Sequence, residues 1–266
     1  MEYKEIIKSA YYHDNTGMLL KGDCLEIMKD FPDKSVDMIL CDLPYEKTTC
    51  KWDTIIPFKL LWEQYERIIK DNGAIVLTAS QPFTTELISS NLYLYKYNWV
   101  WEKDKPTNFV FANKQPMKYH EDICVFYKHQ PTYNKQMIER SAGGKARCKT
   151  GVNHGNRKMQ GVDTIYKSIE KINFYDKSLK NPSTIIYFNT GRRNDLIHPT
   201  QKPTLLFEYL IKTYTNENDI VLDNAAGSCT AAIACKNTNR RWICIEKEEE
   251  YCNKSVERIK EYVKTR

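Results

Sequence analysis

Short apolar runs alternate with helically spaced segments along most of this 266-residue chain, and few folds accept that pattern. Met18-Leu19-Leu20 leads into Gly22-Asp23, and CLEIMKDF then reads as a short helix stopped near Pro32. VDMILC (Val36 to Cys41) is a continuous apolar run bounded by turn residues, as in a strand buried on both faces. Pro57 opens PFKLLWEQYERIIKDNG, where Phe58, Leu61, Tyr65, Ile68 and Ile69 recur at helical spacing and Gly73 is placed just past the helix end. AIVLTAS follows as a strand, QPFTTELISS as a helix, and YKYNWVWEK and YHEDICVFYK as two further strands. The last third reads as helix KPTLLFEYLIKTYT, strand DIVLD, helix SCTAAIACKN, strand RWICIE and a terminal helix, KEEEYCNKSVERIKEYVK. Strands alternating with helices in this way predict βαβ units, hence an α/β fold with a parallel sheet covered on both faces. Ligands of such sheets sit outside the carboxyl ends of the strands.

No apolar run approaches the ~18–20 residues that cross a bilayer, and the N-terminus lacks an apolar signal stretch. A membrane or secretory protein is therefore not expected, and a cytoplasmic one is. Nine cysteines without a CxxC pair are expected to be reduced and mostly buried. The net charge of +6 is concentrated: residues 130–195 alone carry +8. That segment also holds Gly143, Gly144, Gly151, Gly155 and Gly161, with Tyr133, Tyr166, Tyr175 and Tyr187 interleaved. We read it as an inserted module that contacts nucleic acid, dividing a main domain (1–129 and 196–266). Its candidate DNA-binding side chains are Lys145, Arg147, Lys149, Arg157, Lys158, Arg192 and Arg193. Residues 108–118 read as a loop that could also touch DNA, whereas Trp99 and Trp101, alternating on a strand, read as packing. His120, Cys124 and His129 match no zinc spacing, and no metal is expected.

Four strand ends carry chemistry. After VDMILC comes Asp42-Leu43-Pro44-Tyr45: Pro44 stiffens the turn, so a carboxylate and an aromatic ring stand a few residues apart, suiting a planar ligand with an amino group. After DIVLD comes Asn224-Ala225-Ala226-Gly227-Ser228-Cys229-Thr230, small residues that let a nucleotide or nucleoside approach the backbone. Neither a P-loop nor GxGxxG is present, which disfavours ATP and NAD. RWICIE ends in Glu246, an acid at the place expected for a ribose partner, although it also opens an acidic helix. Finally, His198-Pro199-Thr200-Gln201-Lys202-Pro203 precedes a helix, and Gly22-Asp23-Cys24 follows the first strand.

In this order and spacing, GDC, DLPY, HPTQKP, DNAAGSCT and IEKEEEY make the chain resemble the amino-methylating DNA methyltransferases of the permuted N6-adenine/N4-cytosine family, from about Met18 to Arg258 apart from the basic insert. The resemblance implies a Rossmann-like, circularly permuted, seven-stranded mostly parallel sheet, and S-adenosylmethionine as cofactor. It implies that Asp42 and the Leu43 carbonyl accept from the exocyclic amine, with Pro44 shaping the turn and Tyr45 stacking on the base. Asp223 and Gly227 would line the methionine end of the cofactor, Glu246 its ribose, and Asp23 with Cys24 its adenine; Ala225 and Ser228 would also bind the cofactor, Thr200 and Lys202 would close over the methionine, and Ser80 and Gln81 would border the pocket. Residues 130–195 would recognise the target. Leu43 stands where the family has Pro, and Asn224, Ala225 and Cys229 replace Pro, Phe and Gly in the cofactor loop.

Within that family an Asp opening the tetrapeptide goes with adenine N6 and a Ser with cytosine N4, so Asp42 points to adenine. The reaction implied is direct transfer of the methyl to an amine flipped out of double-stranded DNA. Alternatives are a methyltransferase for cytosine N4, RNA or a protein amide, and a noncatalytic DNA-binding relative. A homodimer and a cognate restriction endonuclease are possible partners.

Overall fold

The structure, a computed structural model, describes residues 3–46, 53–149, 178–191 and 197–264. In chain order its elements are α1 (Tyr3–Lys8), β1 (Tyr12–His13), β2 (Gly17–Lys21), α2 (Cys24–Met28), β3 (Val36–Cys41), α3 (Phe58–Ile68), β4 (Ile69–Ala79), α4 (Phe83–Ser90), β5 (Tyr95–Thr107), β6 (Lys118–Phe126), β7 (Ile138–Glu139), α5 (Ala142–Lys149), β8 (Leu179–Lys180), β9 (Ile185–Tyr187), α6 (Thr204–Tyr214), β10 (Ile220–Asp223), α7 (Thr230–Asn237), β11 (Arg241–Glu246) and α8 (Glu249–Lys264). Two compact units emerge: Met1–Asn134 with Thr184–Arg266, and Lys135–Ser183. Within the second, β7 and β8 pair antiparallel.

The first unit is built on a sheet ordered β1-β2-β11-β10-β3-β4-β6-β5-β9. Its seven-stranded heart runs from β2 to β5 and is parallel except for β6, which pairs antiparallel with β4 and β5. Two short strands, β1 and β9, extend the expected seven to nine. Strands β10 and β11, last in sequence, lie between β2 and β3, as a permuted order requires.

Period-2 alternation splits each apolar run between two layers. Met38, Leu40, Val76, Val125 and Trp242 pack with α6, α7 and α8, while Ile39, Cys41, Ile75, Leu77, Phe126 and Ile243 pack with α2, α3 and α4. Trp99 and Trp101 are 3% exposed, their indole N–H groups donating to the Tyr214 hydroxyl and the Phe188 carbonyl, which is the packing role read from their alternation.

One helix ends earlier than its spacing indicates. Helix α3 stops at Ile68 because Ile69 is extended and pairs with Val36 of β3, opening strand β4 four residues before Gly73. A register shift between Val36 and Met38 then accommodates residues 70–73. Gly73 is therefore no helix cap: a Cβ there would lie 2.8 Å from the Asp37 carbonyl oxygen, so close backbone approach selects it. Among the described residues no helix is long and apolar enough to cross a membrane.

Candidate active site at the carboxyl edge of the sheet

The carboxyl ends of β2, β3, β4, β10 and β11 open into one cavity of about 960 Å³. Every candidate read at those strand ends lines it: Asp23, Cys24, Asp42, Leu43, Pro44, Tyr45, Ser80, Gln81, Thr200, Lys202, Asp223, Ala225, Gly227, Ser228 and Glu246. The volume suits two ligands of nucleoside size side by side.

On its wall the Asp42 carboxylate is held by three donors. Tyr45 Oη donates to Oδ1 at 2.6 Å, the Thr78 hydroxyl donates to the same oxygen, and Lys202 Nζ reaches Oδ2 at 2.8 Å. Tyr45 is thus turned inward, its ring 4.8 Å from that of Phe83, and burial followed by the Asp42 charge raises its phenol pKa so that it stays a donor. Lys202 also lies 3.4 Å from Glu121 Oε2, and Lys103 Nζ donates to Glu121 Oε1 at 3.0 Å. Burial opposes the charge on Lys202, but Asp42 and Glu121 outweigh it and hold its pKa above the ordinary lysine value. In the same way Lys202 and Lys103 overcome burial and keep Glu121 below the usual carboxylate range. A chain of alternating charges results, with buried lysines and half-buried carboxylates: Lys103, Glu121, Lys202, Asp42.

On the β10 side, burial pushes Asp223 up to about 7, against the bonds it accepts from the Cys41 thiol and the Ala225 amide. Asn224, 2% exposed, is not idle in the place of the family's proline, since its amide oxygen accepts from Tyr65 Oη of α3 at 2.5 Å. Gly227 has φ +49 and would place a Cβ 3.3 Å from the His198 ring. That ring packs on Tyr251 at 4.3 Å, so HPTQKP, the glycine turn and the start of α8 close on one another. Burial lowers His198 to about 4, leaving a neutral imidazole whose Nδ1 accepts from the Thr200 amide.

Glu246 is no surface acid. It is 8% exposed; Oε2 accepts the Gly227 amide at 2.7 Å and Oε1 the Glu248 amide at 2.8 Å, and burial raises its pKa. Asp23 caps α2, accepting from the Leu25 amide at 2.9 Å.

Lys103, Glu121 and Thr78 are site residues that the sequence pattern does not single out, and His198 enters only as part of the HPTQKP motif, with no role of its own. The first three lie inside strands that read as core, where their polarity was the available signal.

Lys145 lies on α5 in the second unit, half-buried and paired with Glu139 at 3.2 Å. Arg147 and Lys149 fall in the same helix, but their side chains, together with Arg157, Lys158, Arg192 and Arg193, lie outside the described residues.

Asp223 has a stability consequence. Between its unfolded value of 3.8 and about 7 the folded chain holds one proton more than the unfolded chain, so this group makes stability fall as pH rises through that window. His198, depressed to about 4, acts oppositely between 4 and 6.5. The clean measurement is therefore a difference: Asp223→Asn should gain stability relative to the parent chain between pH 5 and pH 8, by about 2.6 kcal/mol, in paired urea denaturations. A constant difference would show that Asp223 is ionised throughout.

The strand order with its single antiparallel member, and a cavity to which neighbouring strand ends deliver Asp42, Asp223 and Glu246, define a Rossmann-like methyltransferase. Over residues 36–257 the chain matches the N6/N4 methyltransferase family, described as DNA methylase, and it belongs to that family. It is 29% identical over 272 residues to the type II methyltransferase M.BglII of Bacillus subtilis, covering 92% of this chain and 69% of the relative. To M.HpaI of Haemophilus parainfluenzae it is 24% identical over 255 residues, covering 91% and 73%. Among solved structures, an M1.HpyAVI-SAM complex matches with a TM-score of 0.62 at 25% identity, over 91% of this chain and 98% of that one. The cytosine-N4-specific PvuII methyltransferase matches with a TM-score of 0.67 over 96% and 93%; at 15% identity it shares the fold.

Proposed function

We propose that this enzyme is a site-specific DNA methyltransferase that moves the methyl group of S-adenosylmethionine to N6 of an adenine flipped out of duplex DNA. The observation that carries the amine-methylation reading is that Asp42 and Leu43 line the cavity, and the adenine choice rests on Asp rather than Ser at the head of the tetrapeptide. A carboxylate offers about four lone-pair sites, and Tyr45, Thr78 and Lys202 take three, leaving room for an incoming N–H. An exocyclic amine is a poor nucleophile because its lone pair is shared with the ring. Acceptance of its N–H bonds by Asp42 and the Leu43 carbonyl favours the pyramidal nitrogen, and the charge growing on it lies against the carboxylate.

The residues present fit S-adenosylmethionine. Asp223 is a buried carboxylate raised to about 7, chiefly by burial and further by the Asp42 and Glu246 charges, and a cationic ligand beside it would offset that cost. When bound, the cofactor supplies an electrophilic methyl carbon. Asp223 and Gly227 would hold its methionine end, Glu246 its ribose, Asp23 and Cys24 its adenine; Ala225 and Ser228 would also bind it, while Thr200, Ser80 and Gln81 frame the opening. Lys202, which would also close over the methionine, is anchored on Asp42 at 2.8 Å.

Glu246→Ala should weaken cofactor binding by about 1.5–3 kcal/mol, the range of a charge-assisted hydrogen bond, and should also loosen the Gly227 turn. Calorimetry reads this directly, and parent-like affinity would remove Glu246 from the ribose.

Residues 130–195 serve target recognition in this reading, through Lys145, Arg147, Lys149, Arg157, Lys158, Arg192 and Arg193. The cytoplasm is the place of action, and a homodimer or a cognate restriction endonuclease the accompanying protein. The deciding experiment incubates the chain with labelled S-adenosylmethionine and bacterial DNA, then hydrolyses the DNA to nucleosides. N6-methyladenine is expected. N4-methylcytosine would overturn the base assignment, and unlabelled DNA the reaction.

A further inference from the structure

The loop between β5 and β6 carries Phe109, Val110 and Phe111 on one 3-10 turn, entered through Asn108 with φ 65. Phe109 is 79% and Val110 89% exposed, more than any other large apolar side chain among the described residues. The backbone beneath them is well tied. The Phe111 and Ala112 amides donate to the carbonyls of Asn108 and Phe109, and those of Lys114 and Gln115 to that of Phe111, at 2.8–3.1 Å. The foot of the loop is the rim of the active-site cavity: Lys105, Thr107, Asn108 and Lys118 all line it.

An apolar tip is stable in water only at a cost, so a large one at the mouth of a site calls for an occupant. Three side chains cannot supply the ~800 Å² per partner of a stable protein interface. Lysines stand around the tip, with Lys105 and Lys114 exposed. Apolar centre and cationic flanks are the complement of a base stack between phosphate backbones.

We propose that Phe109 and Val110 form a wedge that enters the DNA duplex at the step vacated by the base drawn into the cavity. The proposal rests on the reading of the site as one for a flipped base. Removing a base from the stack costs unstacking energy, and apolar side chains inserted between base steps are a known way to hold an opened duplex. Here the wedge and the cavity mouth are joined by a few residues of hydrogen-bonded backbone, so filling the gap and capturing the base become one event.

The test begins by sequencing DNA from cells expressing the chain, which identifies the methylated sequence; a synthetic duplex of that sequence is the probe. The double variant Phe109→Ser/Val110→Ser should lose about ten- to a hundredfold in kcat/KM on the matched duplex. On the same duplex with the target opposite an abasic site, already easy to flip, the loss should shrink to less than about threefold. A 2-aminopurine at the target position should brighten with the parent chain and not with this variant. Phe109→Leu/Val110→Ile, which keeps the apolar bulk, should recover most of the activity. Equal losses on both duplexes, no loss on either, or a parallel fall in cofactor affinity or Tm would overturn the wedge while leaving the assigned reaction standing. Absence of methyl transfer to DNA by the parent chain would overturn both.

Discussion

Asp42→Ala is expected to lower single-turnover DNA methylation by ~10²–10³ or more while leaving S-adenosylmethionine affinity nearly unchanged. An acceptor aimed at a nitrogen that becomes pyramidal and cationic is worth most in the transition state, so its loss falls on the chemical step. The substitution also removes one acceptor shared by the Tyr45 and Thr78 hydroxyls, which keep their bond to each other at 2.9 Å. Lys202 keeps Glu121 at 3.4 Å, so one anion remains beside it. Rapid-quench kinetics with calorimetry of the cofactor separates the two effects. Near-parental single-turnover rates would place the reacting amine elsewhere.

The second large effect concerns stability. Glu121 stands between two buried ammonium groups, Lys103 and Lys202, which are 3% and 8% exposed. Breaking such an arrangement from the middle leaves charge buried without its counterpart, and Glu121→Ala should cost about 3–5 kcal/mol. For a chain of this size that corresponds to a fall in Tm of roughly 6–20 °C. Adding Lys103→Met to Glu121→Ala should recover part of the loss, because the uncompensated charge goes with it, and a double-mutant cycle in urea measures the coupling. Additive losses would mean that the two residues do not act as a pair.

Much of the site was legible because a parallel sheet places its ligands at strand ends. Asp42, Asp223 and Glu246 each end or follow an apolar run, and nothing apolar explains an acid there. Glu121 and Lys103 carried no such mark. They lie within β6 and β5, runs whose aromatic and apolar neighbours read as core, and they face the cavity only because β6 is inserted antiparallel between β4 and β5. The helical spacing through Ile69 likewise could not disclose the end of α3, since the stop is made by pairing with Val36, more than thirty residues upstream.

The sequence by itself determined the alternating α/β architecture, the parallel character of the sheet and the acids at its carboxyl edge. These follow from side-chain periodicity and from turn residues, which are properties of a few neighbouring residues. Tertiary structure alone decided which charges meet. Asp42 and Lys202 are 160 residues apart and touch at 2.8 Å because α6 and the HPTQKP turn pack back over β3. Pairing of β10 with β11 likewise brings Glu246 to the Gly227 amide across 19 residues. Local pattern sets how a strand or helix buries its face; the partner of a buried charge depends on strand order, which no single segment contains.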